Sequence, residues 1–321
     1  MKGEVYHQST CVALKAADLY YVQEKTQREV AQILNISEPT VSRLLKRAKK
    51  EKIVSFVIEK QYAECLKLEN MLQNRYGLAE AIVVPFAEEP EDAEIKKKAV
   101  ALEGARYVQR VISPKDVLGI AWGGTMYHLI RYLNPCQKIE SSFVTLHGSL
   151  SCCDYNLDVR TLVSRMAMAF GGKRHSLIEG GLANNRNDIE QMHKKEDVRR
   201  IFSLFDRITI SVSGIGSLYP QADSPLSRLQ YLKREEFAKL KEMGVYGDLM
   251  LRFFDKDGQE CESNLKDRTL AIDMDVYKSI PCKIIVASGT QKSATLQAAL
   301  KGGLADVVVL DYGLAKEICQ S

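Results

Sequence analysis

Two groups of residues in this 321-residue chain have the types and spacing to do chemistry. The first is a run of bases. Arg43, Lys46, Arg47, Lys49, Lys50 and Lys52 stand within ten positions against one acid, Glu51, while the whole chain carries only +4. Positive potential concentrated in this way suits neutralisation of nucleic-acid phosphates. The second is a set of four small-residue turns, each directly after an apolar run: Gly123-Gly124-Thr125, His147-Gly148-Ser149, Gly214-Ile215-Gly216 and Ser288-Gly289-Thr290. Glycine lets backbone N–H groups approach an anion, and a following helix N-terminus adds positive potential. The first and last of these turns are the best cradles. Lys292, just beyond Gln291, could bring a formal charge to a phosphate. His147 sits at the end of an apolar run, either as a ligand contact or as a satisfied polar residue. Asp248 could offer a carboxylate to sugar hydroxyls, which it can accept in more than one direction, or it could cap a turn.

These residues must be positioned by two kinds of structure. Around the bases, Thr26 and Glu29 have the capping-box spacing that starts a helix. Val30, Ala31, Ile33 and Leu34 give that helix its apolar stripe. Asn35-Ile36-Ser37 makes a short turn, and Pro39 falls in the first turn of a second helix. Val41, Leu44, Leu45 and Ala48 repeat at helical spacing and face inward. Thr40, Ser42, Arg43, Lys46 and Arg47 occupy the other face. Two short helices so arranged form a helix-turn-helix, which lays its second helix in the major groove of double-stranded operator DNA. A strand over Ile53–Glu59 is expected to close this head, followed by a linker helix over Tyr62–Arg75 with Leu66, Leu68, Met71 and Leu72 as its apolar positions.

Beyond the linker, strands and helices alternate. Apolar runs at Ala81–Pro85, Val117–Ala121, Ser142–Leu146, Arg207–Ser213, Lys283–Ala287 and Ala305–Leu310 are separated by helical stretches such as Asp92–Val111, Val159–Phe170 and Ser293–Leu300. Continuous apolar strands between helices predict a buried, mostly parallel sheet. Ligands of such sheets sit outside the carboxyl ends of the strands, where all four turns lie. The fold class is therefore α/β: a small N-terminal helix-turn-helix domain, residues 1–59, and a large effector domain, residues 60–321, opened by a linker helix at 60–76.

Several function classes are excluded by absence of signal. Gly214-Ile215-Gly216 lacks the third glycine of a dinucleotide fingerprint, and no phosphate-binding G-x-x-x-x-G-K-[ST], H-E-x-x-H or G-x-S-x-G occurs. The five histidines (His7, His128, His147, His175, His193) show no metal-ligand spacing. No catalytic residues, cofactor or metal are expected. The eight cysteines are irregularly spaced, none in C-x-x-C, and the adjacent Cys152-Cys153 suits a disulfide poorly. With no apolar N-terminal core and no run long enough to span a bilayer, a cytoplasmic protein without membrane contact is the expectation.

The residues also resemble a known family, the SorC-type sugar-binding transcriptional regulators of bacteria. The matching runs are LYYVQEKTQREVAQILNISEPTVSRLLKRAKKEKIV in the head, then LGIAWGGT (Leu118–Thr125), GIGS (Gly214–Ser217), GVYGDLMLRFFDKDG (Gly244–Gly258) and VASGTQKSATLQAALKGG (Val286–Gly303), in the family's order. The resemblance spans nearly the whole chain. It implies an effector domain similar to the sugar-phosphate isomerase and deaminase fold, non-catalytic, with self-association as a tetramer or dimer of dimers. It implies DNA contacts, or supports for them, at Tyr20, Gln27, Thr40, Ser42 and Arg43, with Lys46 and Arg47 on the same face. It places Gly123, Gly124 and Thr125 around a sugar or sugar phosphate, Asp248 on hydroxyls and Lys292 on phosphate. His147, Gly148, Ser149, Ser288, Gly289 and Gln291 complete the expected effector set. The chain departs from the family at Ser288-Gly289, Glu179-Gly180-Gly181, Leu310-Asp311-Tyr312-Gly313 and His147-Gly148-Ser149, all near the expected site. The rival reading is a sugar-phosphate isomerase or deaminase fused to a DNA-binding head, for which His147, Asp248 and Lys292 are the available acid–base groups.

Overall fold

The computed structural model describes residues 9–86, 91–150, 154–224, 226 and 232–321. His7 and the Cys152-Cys153 pair lie outside them. The chain forms two compact units, Met1–Glu59 and Lys60–Ser321.

The first unit is helical. Helix α1 (Thr10–Ala17) starts at Ser9, whose hydroxyl accepts the Val12 N–H, and runs into a π-helical turn over Asp18–Val22. Helix α2 (Gln27–Leu34) has the expected capping box: the Thr26 hydroxyl takes the Glu29 N–H while the Glu29 carboxylate takes the Thr26 N–H at 2.8 Å. It ends at Asn35 in the left-handed conformation (φ 52°), which asparagine tolerates. Helix α3 (Glu38–Lys50) begins at Ser37 with Pro39 in its first turn. Val30, Ala31, Val41, Leu44 and Leu45 join Ala13 and Ala16 in one small core. Ile33, placed by periodicity in that stripe, is exposed instead. Residues 53–59 form no strand. A strand needs a neighbour for its N–H and C=O groups, and among the described residues of this unit there is none.

The second unit is a three-layer α/β fold. In chain order it contains α4 (Lys60–Tyr76), β1 (Glu80–Val84), α5 (Ala93–Val111), β2 (Val117–Ile120), α6 (Gly124–Arg131), β3 (Ser142–Thr145), α7 (Val159–Phe170) and β4 (Lys173–His175). There follow α8 (Arg186–Lys194), α9 (Glu196–Phe205), β5 (Ile210–Ser213), β6 (Gly216–Ser217), α10 (Arg234–Glu242), β7 (Gly247–Leu249) and β8 (Arg252–Phe254). The unit closes with α11 (Met274–Lys278), β9 (Cys282–Ala287), α12 (Ser293–Lys301), β10 (Val307–Asp311) and α13 (Tyr312–Gln320). Seven strands form one parallel sheet in the order β1-β10-β9-β5-β2-β3-β4.

Why its strands read as unbroken apolar runs is visible in β9 and β10. Side chains alternate across a strand, so Ile285, Ala287, Val308 and Leu310 enter one core while Ile284, Val286, Val307 and Val309 enter another. The first core is capped by α4, α9, α12 and α13, through Leu72, Ile201, Leu296 and Leu314. The second is capped by α5, α6 and α7, through Val100, Met126 and Leu162. On α4 the buried stripe is Cys65, Leu68 and Leu72, at helical spacing, whereas Leu66 and Met71 are exposed.

A second sheet, not expected from the sequence, is antiparallel and three-stranded, β6-β7-β8. Its β7–β8 turn is Met250-Leu251, both residues at positive φ (54° and 67°) and both buried, one in each core. Non-glycine residues rarely hold that conformation; here burial of both side chains keeps them in it.

Candidate functional site

In the first unit, α3 presents the basic face. Its inward positions are filled by Val41, Leu44, Leu45 and Ala48, which leaves Arg43 and Lys46 exposed and Ser42 half-buried. Two expected contact residues are otherwise engaged. Thr40 is buried, its hydroxyl 2.8 Å from Ser37 Oγ, because it belongs to the helix's N-terminal cap. Arg47 reaches Glu51 at 2.7 Å and donates to Thr10 Oγ1 at 3.1 Å, tying α3 to α1. The same Arg47 contact holds the Glu51 carboxyl below its usual range. Lys49 lies over the rings of Phe56 (4.8 Å) and Tyr21 (5.6 Å), a cation–π contact that fixes the segment after α3. Tyr20 packs edge-on against Tyr21 and, with Gln27 and Thr26, borders a shallow depression at the start of α2. Arg43, Lys46 and Ser42 are thus the outward side chains, while Tyr20, Thr40 and Arg47 build the surface that carries them.

In the second unit, a cavity of about 620 Å³ opens where the central strands β2, β5 and β9 end. It is lined by the connections Ala121–Thr125, Gly214–Gly216 and Ser288–Lys292, and by Asp223, Asp248, Met250, Lys96 and Lys97. Its size is that of a small-molecule site.

The two glycine cradles differ. Gly123 has φ 112° and precedes α6, whose N-terminus no side chain caps, so the first N–H groups of the helix are aimed at the cavity. Lys97 stands beside them: a methyl group added at Gly124 would lie 3.9 Å from its Nζ. The Glu94 carboxylate holds Lys97 at 2.7 Å and His128 Nε2 at 2.6 Å, and Lys97 in turn lowers the Glu94 pKa. At Ser288-Gly289-Thr290, by contrast, the Gly289 N–H donates to Asp311 Oδ2 at 2.7 Å, while Asp311 Oδ1 accepts the Leu314 N–H at 3.0 Å. That carboxylate takes the glycine N–H, while Ser288–Lys292 still line the cavity and no side chain caps the turn over Thr290–Lys292.

Asp248 lies on β7, in the cavity lining, and caps no turn. Its Oδ1 accepts the Ser224 hydroxyl at 2.6 Å. Burial raises its pKa to about 6, partly offset by that bond and by Lys292. Gly216 faces it; a methyl group there would fall 2.1 Å from Asp248 Oδ1, so only glycine fits. Lys292 Nζ donates to the Ile215 carbonyl at 3.0 Å and lies 4.0 Å from Asp223 Oδ2, and Gln291 donates to the same oxygen at 2.9 Å.

The His147-Gly148-Ser149 turn is a correction. His147, Gly148 and Ser149 do not line the cavity. Their backbone is taken up elsewhere: His147 bridges to Ala271, the Gly148 N–H donates to Leu270 O at 2.8 Å, and Ser149 pairs with Gly180. His147 is fully buried. It accepts the Trp122 N–H on Nε2 at 3.2 Å and donates from Nδ1 to Gly148 O at 2.8 Å. Burial pushes its pKa down to about 4; the neutral ring positions the Trp122-Gly123 backbone from behind. No acid–base set for the rival enzyme is assembled, since His147 does not reach the cavity. Among the described residues no group of three or more His, Cys, Asp or Glu could hold a metal, and no helix is long and apolar enough to cross a membrane.

Sequence reasoning missed Lys96, Lys97, Trp122 and Asp223. Lys96 and Lys97 sit in a Lys-Lys-Lys run that reads as a solvated helix face. Asp223 lies in an aperiodic loop, and nothing local marks either as a neighbour of the glycine turns.

A basic recognition-type helix in one unit and a strand-end cavity in an α/β sheet in the other are the parts of a DNA-binding protein with a small-molecule site. Residues 60–320 match the family described as "Putative sugar-binding domain", and residues 18–51 match region 4 of sigma-70 factors. The deoxyribonucleoside regulator of Bacillus subtilis is 31% identical over 307 residues, covering 96% of each chain. The sorbitol operon regulator of Klebsiella pneumoniae is 30% identical over 310 residues, 94% of this chain and 96% of its own. The solved full-length structure of that regulator, SorC, superposes with a TM-score of 0.75 at 28% identity, covering 97% of this chain and 100% of its own. The chain belongs to the SorC-type family of sugar-binding transcriptional regulators. These relatives are regulators, and the rival reading as an enzyme is set aside on that ground.

Proposed function

We propose that the chain binds operator DNA through residues 1–59 and that a sugar or sugar phosphate in the cavity of residues 60–321 sets its affinity for that DNA. Arg43, Lys46 and Ser42 face the DNA. The open N-terminus of α6 with Lys97 takes the anionic group of the effector, and Asp248 accepts its hydroxyls. The single observation that carries this reading is the uncapped glycine start of α6 facing a cavity of ligand size. The relatives named for deoxyribonucleosides and sorbitol favour a carbohydrate-utilisation operon as the target.

Control follows from linkage: an effector that prefers one arrangement of a self-associated protein shifts DNA affinity by the ratio of its affinities for the two arrangements. Paired heads, in a dimer or tetramer, match symmetric half-sites. A thermal-shift screen against sugars and their phosphates tests the effector half. At about 100 times its Kd a true effector stabilises the fold by roughly 2.7 kcal/mol. A response to sugar phosphates that Gly123→Val removes is the expected result. A complete screen without a hit would overturn the sugar-sensing assignment.

A further inference from the structure

The cavity turn Ser288–Lys292 is joined to the linker helix α4 by a short series of hydrogen bonds. The first joint is Asp311, buried at the end of β10. One of its carboxylate oxygens takes the Gly289 N–H at 2.7 Å, and the other takes the Leu314 N–H at 3.0 Å, in the first turn of α13. Cavity turn and helix start therefore share one group. The second joint is the next residue: Tyr312 donates its hydroxyl to Glu64 Oε2 of α4 at 2.8 Å. At the other end of α13, the Ile318 carbonyl accepts Arg75 of α4 at 3.0 Å and Gln297 of α12 at 3.2 Å, and α12 is the continuation of the cavity turn. Between these ends, Leu314, Ala315 and Ile318 pack in the same core as Cys65, Leu68 and Leu72. Helix α4 also has a fixed point, where Glu69 accepts the Val83 N–H of β1 at 2.9 Å. Glu64 lies ahead of that point, in the half of α4 that continues directly from residue 59, the last of the helix-turn-helix unit.

We propose that Tyr312 is the coupling residue between cavity and linker: its hydrogen bond to Glu64 carries a displacement of the Ser288–Lys292 turn to the head-ward half of α4. This rests on the reading of the cavity as the effector site and names the path by which that site regulates. A ligand that engages the turn re-aims it. Because one buried carboxylate bonds both the turn and α13, the helix must follow or leave a buried N–H unpaired, which is the costlier course. Packed helices shift as bodies and do not deform continuously. Helix α13 then moves against α4, and the two are tied by hydrogen bonds at Tyr312 and at Arg75. Arg75 acts behind the Glu69 anchor, on the half of α4 joined to β1. Tyr312 acts ahead of it, on the half joined to the head. The Gly123 turn has a different neighbourhood: it leads into α6, whose Met126 and Leu129 pack in the other core, away from Leu68 and Leu72 of α4. Both joints fall in Leu310-Asp311-Tyr312-Gly313, a segment where this chain departs from the family it resembles.

The test uses the full-length protein, inorganic phosphate as probe, and hydrogen–deuterium exchange as readout. Trp122, the single tryptophan of the chain and part of the cavity lining, reports phosphate binding by its fluorescence. In the wild type, saturating phosphate is expected to change exchange about threefold or more both in the Ser288–Lys292 turn and in α4 around Glu64. Tyr312→Phe keeps the ring and removes the hydroxyl. It is expected to leave the Trp122 titration and the response of the turn in place and to lose the response of α4. Glu64→Ala is expected to behave in the same way, while Glu64→Gln, which still offers an oxygen, responds as the wild type does; a merely structural role for Tyr312 would not separate these variants. An α4 response that survives Tyr312→Phe overturns the proposal, as does a Trp122 titration without an α4 response in the wild type. A second arm needs no ligand. Gly289 holds φ 98°, so Gly289→Ala strains the turn, and its effect on exchange near Glu64 is expected to vanish in Gly289→Ala/Tyr312→Phe. A silent Trp122 would sink the cavity as a phosphate site, and the proposal is then decided by this arm: an α4 unmoved by Gly289→Ala overturns it, and an effect that needs Tyr312 upholds it.

Discussion

On the basic helix, Arg43 and Lys46 reach solvent from one 13-residue segment whose own cap and i,i+4 bonds set it up. In the cavity, Gly124, Asp248 and Lys292 meet from three widely separated segments, and most polar groups there are held by partners far away in the chain. The head therefore separates function from folding: its outward residues carry little of its stability. The cavity does not, because Asp311, His147 and Ser224 hold both the backbone and the ligand-facing groups. The two glycine turns make the point within one site. Gly123-Gly124-Thr125 and Ser288-Gly289-Thr290 have nearly the same composition and both lead into helices that no side chain caps, yet the second gives its glycine N–H to Asp311. Availability of an N–H is decided by what the rest of the fold brings to it.

The strongest way to break this contrast is Asp311→Ala. It would leave the Gly289 and Leu314 N–H groups unpaired in a buried place, at a cost of about 1–3 kcal/mol each, so urea denaturation of the full chain should show a loss of roughly 2–4 kcal/mol. A loss under about 0.5 kcal/mol would mean that the Ser288 turn is as free as the Gly123 turn. Arg43→Ala should do the reverse. Operator affinity, read by fluorescence anisotropy, falls by about 1–3 kcal/mol with dependence on base sequence, while the unfolding midpoint barely moves. A uniform loss across sequences would make Arg43 a phosphate contact.

A third prediction sharpens the account of the cavity wall. His147, with a pKa near 4 when folded and 6.5 ordinarily, binds a proton more readily unfolded, so its contribution to stability rises with pH between about 4 and 6.5. Asp248, raised from 3.8 to about 6, keeps a proton in the fold that the unfolded chain releases, so its contribution falls with pH between about 4 and 6. The two oppose each other. Asp248→Asn, which can still accept the Ser224 hydroxyl, should make stability climb more steeply across pH 4–6, by at most about 1.4 kcal/mol per pH unit. Equal slopes in both proteins would rule out the raised Asp248. The smallest effect belongs to the head: Thr26→Ala removes the α2 cap and should cost about 1 kcal/mol, seen as faster amide exchange confined to α2.

Much of the head was legible in the sequence because its signals are local. Thr26 and Glu29, Asn35, Ser37 and the Val41–Ala48 stripe each act within a few residues. What failed there needed tertiary partners: the Ile53–Glu59 strand has none, and Arg47 is spent on Glu51 and Thr10. The parallel sheet was legible from its unbroken apolar runs, since both faces are covered. The antiparallel β6-β7-β8 sheet was not, because its strands are two or three residues long and its turn uses Met250-Leu251 where glycine or asparagine would have announced it. At the cavity, glycine positions were readable and partners were not. Nothing near Ser288 points to Asp311, and nothing near Gly124 points to Lys97.

The central claim is that a ligand in the strand-end cavity controls DNA binding by the head. It is tested most directly by the anisotropy of an operator fragment, selected from random DNA with this protein, titrated with and without each sugar phosphate that stabilises the fold. The account predicts that at least one such ligand changes operator affinity tenfold or more, and that Gly123→Val abolishes the change while leaving ligand-free DNA binding intact. Ligands that stabilise the protein but leave operator affinity unmoved would contradict it.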